Sequence, residues 1–149
     1  MLADLNNSGS MPALEQMLRF AGARQRLLAH NIANIDTPNF IPLDVSPTRF
    51  AAELRDALDR RSESAGSNLQ GRQVSPLQPA YSEVKVAENG EWTLDPQTAS
   101  GNILYHDRNN RDLERMMQAL AENQLAYRTA ADLFKRENDI LRSAISGRV

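Results

Sequence analysis

With 149 residues, no cysteine and 5% aromatic side chains, the chain has material for one small domain with extended arms and little for a large globular core. A formal charge of −2, from 17 Lys+Arg against 19 Asp+Glu, gives no general electrostatic case for nucleic acid or anionic lipid. Disulfides and thiolate metal sites are excluded, no basic region followed by an apolar run marks a cleavable signal peptide, and no apolar stretch approaches the ~18 residues of a membrane span.

Residues 1–10 read as a polar arm whose apolar points are Met1, Leu2 and Leu5. Ser10 is the expected N-cap of a first helix. Pro12 stands in its first turn, where a missing N–H does no harm, and Glu15 favours the positive end of the helix dipole. That helix is predicted from about Met11 to Ala33 or Ile35. Leu14, Ala21, Leu28 and Ile35 form one line along it at heptad spacing, and Leu18, Gln25 and Ile32 form a second. It ends in the run Asn31, Ile32, Ala33, Asn34, Ile35, Asp36, Thr37, Pro38, Asn39, Phe40. Pro38 pushes Thr37 out of the helical region. Asn34, Asp36 and Thr37 can bond nearby backbone, and Asn39 tolerates left-handed backbone where glycine is the easier occupant. Phe40 is then a candidate anchor onto the helices.

Ser46-Pro47 is an N-cap followed by proline at the first helical position, predicting a short helix over about 47–61 that carries Phe50, Leu54 and Leu58. Residues 62–80, rich in Ser, Gly and Pro, read as a linker or loop. The runs Glu83 to Ala87 and Glu91 to Asp95 flank Asn89-Gly90, a strong hairpin signal, with Trp92 as its expected packing anchor. A turn over 96–101 and an extended lead-in over 101–107 follow, and Asn109 or Asn110 is placed to cap the last helix.

Residues 109–149 carry the longest pattern. Leu113, Leu120, Tyr127, Phe134 and Leu141 fall on one line, and Met117, Gln124, Ala131, Asn138 and Ile145 on another, with no Pro or Gly before Gly147. A seam held for about five heptads needs a partner, since a long helix cannot bury an apolar stripe against itself. Gln25, Gln124 and Asn138 are amides within the seams; they either restrict register as buried groups or face solvent where the seam is imperfect. The expected fold is mainly α. Long N- and C-terminal heptad helices form a coiled-coil pair, and a small central region contains a short helix and a β-hairpin. The divisions are 1–37 (arm and axial helix), 38–108 (central region) and 109–149 (C-terminal axial helix).

Nothing in the sequence points to an enzyme or a cofactor. The two histidines, His30 and His106, belong to no metal-ligand spacing, and neither a nucleophile elbow nor a phosphate-cradling glycine loop is present. Both long helices mix acids and bases on their polar faces, which argues against a membrane-surface helix.

The turn signature Asn31, Ala33, Asn34, Thr37, Pro38, Asn39, Phe40 resembles the Asn-x-Ala-Asn…Thr-Pro-Gly-aromatic pattern of the bacterial flagellar axial proteins, departing from it at Asn39, where glycine is usual. Three further stretches are similar to the flagellar basal-body rod protein family, in particular its proximal rod proteins of the FlgB type. They are Asn102 to Asp107 with Asn109-Asn110, then Asp112-Leu113-Glu114 with Met116, Glu122, Asn123, Gln124, Leu125 and Tyr127, and finally Leu141 to Gly147. The likeness covers both terminal thirds. It implies a structural subunit of the proximal rod, exported by the flagellar type III apparatus without a cleaved signal. Such a subunit self-assembles helically through its terminal helices to build a hollow drive shaft in the periplasmic space. The implied partners are copies of itself, other flagellar rod proteins and the membrane-ring and export-gate junction proteins, with no nucleic acid and no membrane span. The seam positions named above are the expected assembly interface. A soluble coiled-coil adaptor or export chaperone is the alternative; it accounts for the seams but not for the turn signature.

Overall fold

A computed structural model of the chain describes residues 9–67, 82–86, 92–98 and 112–147. The Asn89-Gly90 turn, the lead-in over 101–107 with His106, the loop over 68–80 and the packing of the Trp92 side chain lie outside the described residues. In chain order the elements are α1 (Met11–Ala33), β1 (Leu43–Asp44), α2 (Pro47–Ser67), β2 (Val84–Val86), β3 (Trp92–Leu94), β4 (Gln97–Thr98) and α3 (Leu113–Ser146). The chain is mainly helical.

α1 is the hub. The first backbone bond runs from Leu14 N–H to the Ser10 carbonyl, but the Ser10 hydroxyl does not cap its own helix. It donates to Glu137 Oε1 of α3 at 3.0 Å, so the predicted cap serves as a tie between helices. Glu15 pairs with Arg19 one turn on, at 2.6 Å. The helix ends as the sequence predicts: Asn34 to Asp36 form a turn, and Asn39 adopts φ +59°, in the left-handed region.

One side of α1 faces α2 and the strands. Phe20 of α1 stacks on Phe50 of α2 with ring centroids 3.9 Å apart and planes 9° from parallel. Val45, Leu54 and Val84 complete this core, with Leu27, Leu58 and Leu94 packed at its edge. Each large aliphatic or aromatic side chain so buried stabilises the fold by about 1.5–3 kcal/mol. α2 starts at Pro47 as predicted, with the Ser46 hydroxyl accepting from Arg49 N–H at 3.3 Å. It runs six residues beyond the predicted end, from 61 to Ser67.

Two carboxylates fasten α2 to the segment before β2. Buried Glu83 accepts from Ser46 N–H and from Arg49 Nη1, both at 2.7 Å, and Glu53 accepts from the Ser82 hydroxyl at 2.6 Å. β2 and β3 pair antiparallel with Val84 opposite Leu94. A second two-stranded ladder, β1 with β4, places Leu43 opposite Thr98. No sequence pattern announced it, because two-residue strands carry no periodicity.

The other side of α1 faces α3, which has 34 residues and is about 50 Å long. Its N-cap is Asp112, one residue before the helix, and not the expected Asn109 or Asn110: the helix begins only at Leu113, and Asp112 Oδ1 accepts from Arg115 N–H at 3.0 Å; Gly147 ends the helix at φ +63°. No described helix is long and apolar enough to cross a membrane.

Candidate assembly interface

Asn123 and Ser10 fix how α1 and α3 run. Asn123 of α3 reaches Ala21 and Gln25 near the middle of α1, while Glu137, further along α3, meets Ser10 at the start of α1. The two helices are therefore antiparallel.

The seam predicted on α1 faces inward. Leu14, Ala21 and Leu28 are buried, and Leu18, Gln25 and Ile32 are half-buried; Ile35, also half-buried, sits in the turn beyond the helix. On α3 the first predicted line is the one that approaches α1. Leu120, Phe134 and Leu141 are half-buried, and Tyr127 comes within 3.9 Å of the point where a β-carbon on Gly22 would stand. Leu113, at the start of the helix, is exposed, and so is Tyr127 for all its approach to Gly22.

The second line on α3 is displaced. Met116, Asn123 and Ala130 are buried, and Glu137, which continues their seven-residue spacing, is half-buried. Of the predicted Met117, Gln124, Ala131, Asn138 and Ile145, only Ala131 and Asn138 are half-buried, while Met117, Gln124 and Ile145 face solvent. The inward stripe is thus rotated by one residue. The cause is visible in composition. Met116 and Met117 are equally apolar, and the true line includes Asn123 and Glu137, which a search for apolar spacing passes over.

Asn123 is the buried amide of the pair, at 4% exposure. Its Nδ2 donates to the Ala21 carbonyl and to Gln25 Oε1, both at 2.9 Å. Gln25 therefore has the inter-helix role available to a seam amide. Gln124 faces solvent, and Asn138 donates back to the Phe134 carbonyl of its own helix at 3.0 Å.

The turn signature resolves into a hydrogen-bonded corner. Asn31 is 2% exposed. Its Nδ2 donates to the Leu43 carbonyl at 2.6 Å, and its Oδ1 accepts from Leu43 N–H at 3.3 Å. The side-chain amide stands where a neighbouring strand's peptide would, so it holds β1 against the end of α1. Asn34 donates through Nδ2 to the His30 carbonyl at 2.8 Å, closing the helix end. Thr37 N–H donates to the Asn34 carbonyl and Phe40 N–H to the Thr37 carbonyl, carrying the chain round Pro38 and Asn39. Phe40, half-buried, meets the His30 ring at a centroid distance of 5.8 Å. Ala33 and Pro38 are exposed.

One pair had no sequence signal. Arg24 of α1 grips Asp44 of β1 with two parallel bonds, Nε to Oδ1 at 2.9 Å and Nη2 to Oδ2 at 2.6 Å. This bidentate fork is the strong form of the Arg–carboxylate contact. With Asn31 it clamps β1 to α1 at two adjacent residues.

What the arrangement can do is adhere. α3 buries only three of its residues, and Leu113, Met117, Leu125, Leu133, Ile140 and Ile145 are exposed along it. These side chains lie on more than one side of the helix, so α3 leaves apolar surface in solvent on both of its flanks.

No protein-family model matches the chain. Among curated proteins, it is 29% identical over 141 residues to the flagellar basal body rod protein FlgB of Bacillus subtilis (strain 168), covering 94% of this chain and 95% of the relative. It is 31% identical over 121 residues to the flagellar basal body rod protein FlgB of Borrelia hermsii, covering 79% and 82%. The flagellar basal body rod protein FlgB of Salmonella typhimurium is 29% identical over 113 residues, covering 76% and 75%.

Proposed function

The chain belongs to the family of the flagellar basal body rod protein FlgB, and from that premise we propose that it is a subunit of the proximal rod which assembles helically with copies of itself. It is a structural component and not an enzyme. Its N-terminal part (1–37) and C-terminal part (109–149) form the axial coiled-coil layer, and the central region (38–108) braces that layer from one side. The seam and flank positions of α3 supply the assembly interface. Other flagellar rod proteins and the ring and export-gate junction proteins are its further neighbours. The subunit works in the periplasmic space and arrives there through the flagellar export apparatus.

The observation that carries this reading is the imbalance of α3. It is a helix of 34 residues with three buried side chains and exposed Leu, Met and Ile along its length. Propensity alone stabilises such a helix weakly in water, and most helix stability comes from packing an apolar face. A subunit whose longest described helix is only partly covered by the other described residues is suited to a lattice in which neighbours cover the rest.

The direct test is to isolate hook–basal bodies from the source bacterium and count peptides of this chain. Recovery in the rod fraction at several copies per basal body is expected. Recovery only in the soluble fraction, as discrete oligomers absent from basal bodies, would overturn the reading in favour of an adaptor or chaperone.

A further inference from the structure

We propose that residues 1–8 of this chain seat on the end of α3, over Leu141 and Ile145, and so carry the antiparallel helix pair to the full length of α3. The inference stands on the helix pair alone and does not depend on the rod-subunit reading.

The seat is where α1 runs out. The start of α1 meets α3 at Glu137, through the Ser10 hydroxyl. Because the two helices are antiparallel, α3 continues past the first residue of α1 from Asn138 to Ser146, nine residues and about 13–14 Å. The face that α1 covers does not stop there. Leu141 follows half-buried Phe134 at seven residues, and Ile145 follows half-buried Asn138 at seven. Leu141 is still half-buried, but Ile145 is 64% exposed, as is every described residue between and after them. α3 therefore presents an uncovered continuation of its own seam.

The occupant is fixed by where the chain leaves α1. Gly9, at φ +72°, and Ser10 form a turn just before the helix. A left-handed glycine takes the chain off the helix axis, and the Ser10–Glu137 bond sets that turn against α3. Residues 1–8 thus start beside the uncovered stretch. They span about 12 Å as a helix and about 26 Å extended, so they cover most or all of it in either form. The first turn of α1 offers no competing surface, because Met11, Pro12 and Leu14 are buried. The tether at Ser10 also decides between copies. It gives the chain's own arm an effective concentration on the order of millimolar at the seat, far above that of a second copy's arm in dilute solution.

The side chains match. Leu2 and Leu5 are three residues apart, and Leu141 and Ile145 are four apart, each pair at the spacing of one helical face. Antiparallel continuation sets Leu5 towards Leu141 and Leu2 towards Ile145. Asp4 is the only charged side chain before Glu15. The stretch 138–146 carries two charged residues, Asp139 and Arg142. Arg142 is three residues before Ile145, about 60° round the helix and on the border of the seam, whereas Asp139 is two residues before Leu141 and about 160° away from it. Glu137, at the near end, is engaged by Ser10. The one anion of the arm therefore meets the one cation beside the seat, a contact that orients more than it binds. Leu125, Leu133 and Ile140 lie off this face and are not part of the seat.

The absence of cysteine in the chain makes the test clean. The purified full chain carrying Leu2→Cys with Ile145→Cys is mildly oxidised at micromolar concentration, and linked species are read on a non-reducing gel and by mass spectrometry of peptides. A disulfide forms only where Cα atoms come within about 7 Å. The expected result is a disulfide within one chain. Leu2→Cys with Ser143→Cys is the control. Ser143 is exposed, two residues from Ile145 and about 160° round the helix, so it should link at less than about a tenth of the rate. Leu5→Cys with Leu141→Cys repeats the test one turn nearer to Ser10, in case the first pair disturbs the seat. A second readout leaves α3 unaltered: deleting residues 2–8 should speed amide hydrogen exchange over 138–146 about tenfold, while 118–132 keep their rates.

Links that form only between chains, equal linking at Ser143, or no link from either pair would overturn the proposal. So would exchange over 138–146 that is indifferent to the deletion. None of these results bears on recovery of the chain in basal bodies, which tests the rod reading separately.

Discussion

Replacing Asp44 with Ala should destabilise the chain far more than loss of a surface ion pair. The Arg24 side chain is 8% exposed and the Asp44 side chain 27%. Truncating Asp44 leaves a guanidinium nearly out of water with both of its bonds at 2.6–2.9 Å unmade. Removing one partner of a buried pair costs about 3–5 kcal/mol. Because Asp44 stands partly in solvent, water can enter the vacated site, and the expected cost falls to about 2–4 kcal/mol. The Val45 N–H, which donates to Asp44 Oδ1 at 2.8 Å, loses its acceptor as well and keeps the figure from falling further. Arg24→Met should cost less, about 1–2 kcal/mol, since the remaining carboxylate can be hydrated and keeps the Val45 bond. The double variant Arg24→Met/Asp44→Ala removes both charges and should cost only about 1–2 kcal/mol. Urea unfolding followed by far-ultraviolet circular dichroism gives the three values. A coupling energy of about 3 kcal/mol is expected. Single variants that each cost under about 0.5 kcal/mol and simply add would refute the reasoning, and the pair would then rank with exposed salt bridges.

Other substitutions probe separate parts of the structure. Asn31→Ala removes both bonds to Leu43 and should cost about 2 kcal/mol in the same unfolding assay, with β1 amides exchanging faster by hydrogen exchange. Asn39→Val should cost about 1–2 kcal/mol because φ +59° is strained for a β-branched residue, whereas Asn39→Gly should stay within about 0.5 kcal/mol of the parent. Gly22→Ala should raise stability by about 0.5–1 kcal/mol, since the new methyl meets Tyr127 at an ordinary 3.9 Å; a loss on thermal melting would show the helices to be packed more closely. Phe134→Asp places a carboxylate on the half-buried α1–α3 seam and should abolish recovery of the chain in basal bodies. Unchanged motility in that strain would remove the seam from the assembly account.

Much of the architecture was legible where one residue has one physical option. Pro47 after Ser46 starts α2, Pro38 and left-handed Asn39 turn the chain, and Gly147 ends α3 in the conformation that glycine favours. The α1 seam was legible too, because Leu14, Ala21 and Leu28 recur at heptad spacing. Legibility failed where two options were chemically equal. Met116 and Met117 are neighbours of one type, and only the partner helix decides which faces in. It failed again where polar side chains act over long separations. Ser10 bonds Glu137, Arg24 bonds Asp44, and Asn123 bonds Ala21, each across a distance in sequence that no local pattern reports. Asn31 is the intermediate case: the signature marked it, but its role as a surrogate strand edge emerged only with β1 in place.

The Asn123 amide also has a mechanical meaning. A two-helix pair held by apolar contacts alone can creep, because one leucine layer resembles the next. Here a sliding movement of one turn, about 5.4 Å, would carry Asn123 away from the Ala21 carbonyl and Gln25 and leave its amide buried without a partner. That penalty, about 1–3 kcal/mol, arises at the first turn of slip, while bending the pair leaves the bonds intact. The helix pair is therefore compliant in flexure and stiff in axial shear. Asn123 is in this sense a shear pin of the helix pair, set near the middle of α1.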